Sequence, residues 1–234
     1  MSRFPRTRTL LTGGVVGPVL FVVVFTILGA SRPGYDPMRQ FVSLLMLSDG
    51  GWVQVASFLV SGLLILGSAV GLRRVLTPGP GCRLAPIGVG LAGLGLVIAG
   101  IFPTDPLQGY PPGTPPGLPL VPSWHAVVHL FGALLFFGGL PFASIVLARR
   151  FSTAGAVGWA IYSAASGIGM FVINAATGAS PGTAGMFPDV AGLLQRIAII
   201  LGLAWLAFLS LHFIREPTVT NEAVETEAAE APVV

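Results

Sequence analysis

Charge is scarce in this chain of 234 residues: 9% of positions are Asp, Glu, Lys or Arg, against roughly a quarter in an ordinary soluble domain. Lysine is missing altogether, so all 12 basic residues are arginine. They are scattered along the chain and not clustered, so the sequence pI of about 9.8 reflects composition and not a nucleic-acid-binding patch. Cys82 is the one cysteine, which excludes an internal disulfide. In a short arginine-flanked loop it reads as a free thiol on the reducing side of a membrane. Alternating strand patterns and heptads are absent too. What fills the space is apolar: 53% hydrophobic residues and a mean hydropathy of +0.85, arranged in long blocks. Neither a soluble enzyme nor a disordered chain has this composition, and no large soluble domain fits beside the blocks.

At about 20 residues per crossing, the blocks amount to six transmembrane helices. They run from about Leu11 to Ala30, Trp52 to Leu72, Leu84 to Phe102, Trp124 to Ala148, Ala154 to Ala176 and Ala191 to Phe213. Backbone exposed to lipid must satisfy its own hydrogen bonds, so an all-α membrane bundle is predicted. Pro18, Pro86 and Pro141 fall inside the blocks, as is common in membrane helices. Small residues at Gly88, Ala92 and Gly95, and at Ser163 and Ser166 beside Met170, suit close helix contact. Residues 1–10 form a short N-terminal segment, 11–214 the six-helix domain, and 215–234 an acidic tail. That tail holds five Glu and too little apolar surface to fold, so disorder is expected there.

Arginine placement orients the bundle. Arg3, Arg6, Arg8, Arg73, Arg74, Arg83, Arg149, Arg150 and Arg215 flank the spans on one side; Arg32, Arg39 and Arg196 fall on the other. The positive-inside rule makes both termini cytoplasmic, in a protein of the cell membrane. The arginines before the first span and the Leu28-Gly29-Ala30-Ser31 sequence after it resemble a signal peptide. The apolar run is longer than the usual signal core, and an uncleaved first span is the expectation.

The polar residues gather on the outward side. Asp36-Pro37 is a helix-start signal, a capping acid followed by proline at the first helical position. It predicts a short interfacial helix from about Pro37 to Leu47 that sets Arg39 and Ser43 on one face. Between the third and fourth spans, 102–122 is so rich in Pro and Gly that regular structure is excluded, and a loop of this length suits a lid. Next come His125 and His129, one turn apart on one helix face, a spacing with which two imidazoles can hold one zinc ion. The pair lacks the glutamate of the His-Glu-x-x-His motif. Haem fits poorly, since His125 and His129 cannot ligate from opposite sides and His212 lies about 30 Å away across the bilayer. No span shows a repeated polar stripe for a channel, and the halves show no matching broken helices for a transporter. Asn174 ends the fifth span. Arg196 lies within about the first two turns of the sixth, where it must snorkel outward or pair with a carboxylate, Asp36, Asp105 and Asp189 being nearest in depth.

At these residues the chain resembles the uncharacterised bacterial and archaeal membrane family DUF998. The resemblance is carried by Arg32–Ser43 leading to Gly51-Trp52-Val53-Gln54, by Gly100–Pro106, by Trp124-His125 with His129, and by Gly192–Arg196. It covers about Thr12 to Ile214 and implies six membrane helices with no established activity. Relatives commonly carry His-x-x-Ser-Glu in the outer segment; the matching places here are Gln40, Ser43 and Leu44, so the His and the acid are missing. The outer serine and membrane histidines are also similar to the ceramidase-like intramembrane zinc hydrolases, which need a third His.

The leading expectation is an outward-facing polar pocket walled by Asp36, Arg39, Ser43, Asp105, His125, His129, Asn174 and Arg196. Its ligand would be a lipid headgroup or small amphiphile from the bilayer, with the arginines holding an anionic part. One rival is a metal-dependent lipid hydrolase with zinc on His125, His129 and an aspartate, and Ser43 assisting. Another is a structural or partner-binding membrane subunit whose polar residues satisfy one another. The sequence leaves catalysis, cofactor and oligomeric state open.

Overall fold

The computed structural model describes residues 4–47, 49–76, 78–177 and 186–215; the acidic tail expected to be disordered lies outside the described residues. Six helices are long and apolar enough to cross a bilayer: α1 (Phe4–Ser31), α2 (Trp52–Val75), α3 (Leu84–Ile101), α4 (Trp124–Thr153), α5 (Val157–Ala176) and α6 (Ala191–Arg215). Among the described residues no strand forms. The helix ends follow local chemistry. α1 and α3 stop shortly before Pro33 and Pro103, since the residue preceding proline is pushed out of the helical region. α4 starts at a serine cap, Ser123 Oγ accepting from the Ala126 N–H at 3.3 Å. α1 begins at Phe4, extending the expected first span toward the N-terminus.

Each helix packs against its neighbours in the chain, and α1 meets α6 to close the ring. The closest contacts are made where side chains vanish. A Cβ added to Gly139 of α4 would stand 2.5 Å from the Gly88 carbonyl oxygen of α3, and one on Gly132 would stand 2.7 Å from that of Gly95. The two crossings are seven residues apart on each antiparallel helix. α2 and α3 repeat the device, Gly62 and Gly93 each 2.8 Å from the other's carbonyl by the same measure. Without a hydrophobic drive in lipid, this backbone approach is what associates the helices. Ser163 accepts from Trp205 Nε1 at 3.0 Å, tying α5 to α6.

Arg8 donates to the Ile214 carbonyl at 3.1 Å, so the start of α1 and the end of α6 lie at the same, arginine-rich end. Asp36, Asp49, Asp105 and Asp189 lie in the connections at the other end. There the expected short helix is shorter and sunk into the bundle. Asp36 Oδ1 caps the Met38 N–H at 2.9 Å and its carbonyl accepts from Gln40 at 2.9 Å, closing one turn. Phe41 is then extended, and a 3-10 helix spans Val42–Met46. Val42, Leu44 and Leu45 are at most 1% exposed. This corrects the expected shared face of Arg39 and Ser43: breaking the helix at Phe41 lets all three apolar side chains enter the core, while Arg39 stays at the surface.

The Pro- and Gly-rich stretch is likewise compact. Gln108 N–H bonds to the Gly117 carbonyl at 2.8 Å and Gly109 N–H to that of Pro115 at 3.2 Å. Gly109, Gly113 and Gly117 hold positive φ, the conformation glycine adopts without strain. Tyr110 is 1% exposed and meets the Tyr35 ring edge-on at 5.2 Å. α2 also departs from the expectation that no span bears a polar stripe: Gln54, Ser57, Ser61 and Ser68 are all buried on it. Ser68 bonds back to the Ile65 carbonyl at 2.7 Å, whereas the Gln54 amide and the Ser57 and Ser61 hydroxyls have no protein partner.

Gly139→Leu is expected to force α3 from α4 and cost about 1–3 kcal/mol, the usual range for overpacking. Gly138→Leu, whose Cβ would meet nothing within 4 Å, should leave stability unchanged. Thermal unfolding of the two variants in one detergent compares them.

Candidate functional site

The aspartate-bearing end holds three polar groupings. The first is built on the start of α6. Gly192 lets the turn at Pro37–Gln40 rest on the helix, since a Cβ there would stand 2.5 Å from the Gln40 carbonyl oxygen and 2.7 Å from that of Pro37. One turn further on, Arg196 Nη1 donates to the carbonyls of Pro37 (2.7 Å), Gln40 (2.9 Å) and Gly192 (2.9 Å). Its Nη2 makes a short bond to the Tyr35 hydroxyl. The guanidinium carbon lies 5.5 Å from the Tyr35 ring centroid and 5.9 Å from that of Phe25, within cation–π range. Gln195 Oε1 accepts from the Val42 N–H at 2.9 Å. The Gly192–Arg196 sequence is thus a fastener for the 36–42 turn.

Arg196 therefore does not pair with Asp36, Asp105 or Asp189 as expected. The carbonyls left over by a non-helical turn supply its negative partial charges instead. Arg39 is the residue that meets the acids, bonding Asp189 at 2.7 Å and approaching Asp36 at 3.8 Å in an exposed pair. Such surface pairs contribute about 0–1 kcal/mol.

The second grouping caps the α3–α4 junction. Asp105 Oδ2 accepts from Ser123 N–H at 2.7 Å and Oδ1 from its hydroxyl at 2.5 Å. His125 Nδ1 lies 3.0 Å from Ser123 Oγ, 3.1 Å from the Pro103 carbonyl oxygen and 3.9 Å from Asp105 Oδ1. His129, one turn along, places Nδ1 2.8 Å from the Phe102 carbonyl oxygen and 3.0 Å from that of Ala99. Carbonyls only accept, so His129 carries its proton on Nδ1 and, in the neutral ring, a lone pair on Nε2. The serine lies between aspartate and histidine and donates its hydrogen bond to the aspartate, which is a capping arrangement and not a nucleophile with its base. Among the described residues no group of three or more His, Cys, Asp or Glu could hold a metal ion. The expected set of His125, His129 and an aspartate is therefore not assembled as a metal site among the described residues.

The third grouping is a cavity of about 200 Å³. One side is α4, from Ala126 past His129, Leu130 and Ala133 to Phe137; the end of α5 adds Asn174 and α6 adds Gln195. Ser43 of the 3-10 helix, Asp105, and Leu107 and Leu118 of the Pro-rich loop complete it. A smaller hollow of about 40 Å³ shares Ser43, His129, Ala133, Phe137 and Gln195 and reaches Phe21 and Phe58 in the core.

The eight residues expected to wall one pocket are thus divided. Ser43, Asp105, His129 and Asn174 line the cavity. Arg196 is held in the turn fastener, Asp36 and Arg39 lie at the surface over it, and His125 sits in the α4 cap. Sequence reasoning did not single out Tyr35 or Gln108, and it named Gln40 only as the place of the family's missing histidine. Gln40 accepts from the Asp36 N–H at 2.8 Å and donates to the Gln108 carbonyl at 3.1 Å; Gln108 Oε1 accepts from Phe41 N–H at 3.2 Å. Neutral amides in loops carry no burial signal, although the place of Gln40 in the family's outer motif marks it.

A closed ring of six apolar helices, with polar connections folded over one end, defines a multi-pass membrane protein. The family model described as Protein of unknown function (DUF998) matches residues 15–212, and the chain belongs to that family. No curated protein and no solved structure matches it.

Burial raises the Tyr35 phenol above its ordinary value of 10.0, outweighing the opposing pull of Arg196. An unfolded phenol ionises first, so the stability Tyr35 contributes is present below pH 10 and lost as pH climbs through the folded value. Tyr35→Phe should remove this alkaline loss and cost about 1.5–3 kcal/mol at neutral pH, the range for a hydrogen bond to a charged group. Arg196→Lys should not restore the fork, because an ammonium cannot reproduce the planar donor set. Chemical unfolding of the variants between pH 7 and pH 11 measures both.

Proposed function

We propose that this protein binds a small amphiphile at the outer leaflet of the cell membrane. The observation that carries the reading is the shape of the cavity wall. It runs along α4 from Ala126 to Phe137, about 16 Å by helix rise, or half the hydrocarbon thickness. Polar groups cluster at the top, in Asp105, His129, Asn174 and Gln195, and Leu130, Leu134 and Phe137 line the depth. Leu130 and Leu134 are also 48% and 63% exposed, so the groove borders the lipid and a chain can enter sideways. A polar head at the membrane surface with a tail toward the midplane matches that gradient.

The orientation follows from arginine. The end that carries Arg8, Arg73, Arg74, Arg83, Arg149, Arg150 and Arg215 faces the cytoplasm by the positive-inside rule, which turns the cavity outward. Arg39 and Arg196 do not hold the ligand in this reading, because their partners are the acids and carbonyls of the chain itself.

Ala133 lines both hollows, so Ala133→Leu fills the groove without adding a polar group. Mass spectrometry of lipids retained by the purified protein should find an amphiphile on the wild type and about tenfold less on the variant, a 1.4 kcal/mol effect. Equal retention by both would leave a structural subunit with a cavity that binds nothing.

A further inference from the structure

The same cavity has a sign of charge. Among its described wall residues Asp105 is the one that bears a formal charge, with a side chain 15% exposed. The hydrogen bonds it accepts come from the Ser123 N–H and hydroxyl, neutral donors; the ionisable group beside it, His125 with Nδ1 at 3.9 Å, lies off the cavity wall against Ser123 Oγ and the Pro103 carbonyl. No arginine lines the wall, and the chain has no lysine. The arginines at this end are placed elsewhere: Arg196 on the carbonyls of the turn, Arg39 on Asp189, and Arg32 with its guanidinium against Gly50. A phosphate or carboxylate head brought into this low-dielectric site would face a carboxylate on a wall with neither arginine nor lysine. An ammonium would find a counter-charge there, and its N–H groups would find acceptors in the side-chain oxygens of Asn174 and Ser43. The space, about 200 Å³ in a groove about 16 Å long by helix rise, suits a single aliphatic chain.

We infer that the ligand is a single-chain amphiphile with a positively charged amine head, the ammonium beside Asp105 and the chain lying along α4 toward Phe137. This rests on the amphiphile reading above and adds the sign of the head and the number of chains.

The test uses the full-length protein in nanodiscs of zwitterionic phosphatidylcholine, titrated at one pH with three compounds that share a tail: dodecylammonium, 1-O-dodecylglycerol and dodecyl phosphate. Protein-free nanodiscs correct for partition into lipid. Dodecylammonium should bind saturably and about tenfold more tightly than the glycerol ether, with dodecyl phosphate weakest of the three. Asp105→Asn should weaken the ammonium compound about five-fold more than the glycerol ether. Phosphate binding as tight as ammonium, or an ammonium preference that survives Asp105→Asn, overturns the inference while leaving an amphiphile site in place. Saturable binding of none of the three removes that site, and the inference with it. The ranking of heads on the wild-type protein decides the matter even where the Asp105→Asn chain fails to fold.

Discussion

Backbone that leaves a helix at the membrane end must still find hydrogen-bond partners, and this demand organises the polar half of the molecule. Inside α1 to α6 the ladder satisfies itself. The 36–42 turn and the 102–122 loop have no such ladder, and side chains from other elements reach in to replace it. Arg196 serves the carbonyls of Pro37 and Gln40, Gln195 serves the Val42 N–H, and Gln108 serves that of Phe41. His129 serves the last carbonyls of α3, and Asp105 serves the N–H of Ser123, the cap residue of α4. Each of these bonds joins segments remote in sequence, so the connections act as part of the bundle and not as loose covers.

The same constraint explains why the polar residues sort as they do. A guanidinium offers several donors in a plane, and a turn with converging carbonyls is the partner that uses them. Once Arg196 is held there, it has no need of a carboxylate, and Arg39 is left to pair at the surface. Asp105 has a different fate. Its hydrogen-bond donors are the N–H and hydroxyl of Ser123, and it lies at the polar head of a groove whose depth is apolar. The cavity wall therefore carries an aspartate and no arginine, the reverse of what two nearby arginines suggest on paper.

Packing below this layer depends on absence of side chains. The Gly88–Gly139 and Gly95–Gly132 crossings bring α3 and α4 to backbone contact, and Gly62–Gly93 does so for α2 and α3. That pulls one half of the ring tight. Along the lipid-facing side of α4 the wall widens at Ala126 and Ala133, and the cavity opens there. Small residues thus have two uses in the same helix: where a neighbouring backbone faces them they close space, and where none does they create it.

The six spans could be read from the sequence because apolar length is a local property, and the bilayer sets that length for every helix alike. Both ends of the helical unit lying together follows from an even number of spans. The Gly192–Arg196 and Arg32–Ser43 motifs were visible as strings, and Ser43, Asp105, His129 and Asn174 as polar residues at one depth. Which of them share a wall was not legible, since depth along the chain says nothing of rotation about a helix or of what a turn's carbonyls will claim. The break at Phe41, the compact Pro-rich loop and the amide contacts of Gln40 and Gln108 depend on partners tens of residues away. Composition and spacing determine the elements and the number of membrane crossings; only the assembled ring decides which costly polar groups are consumed by the backbone and which remain to face a ligand.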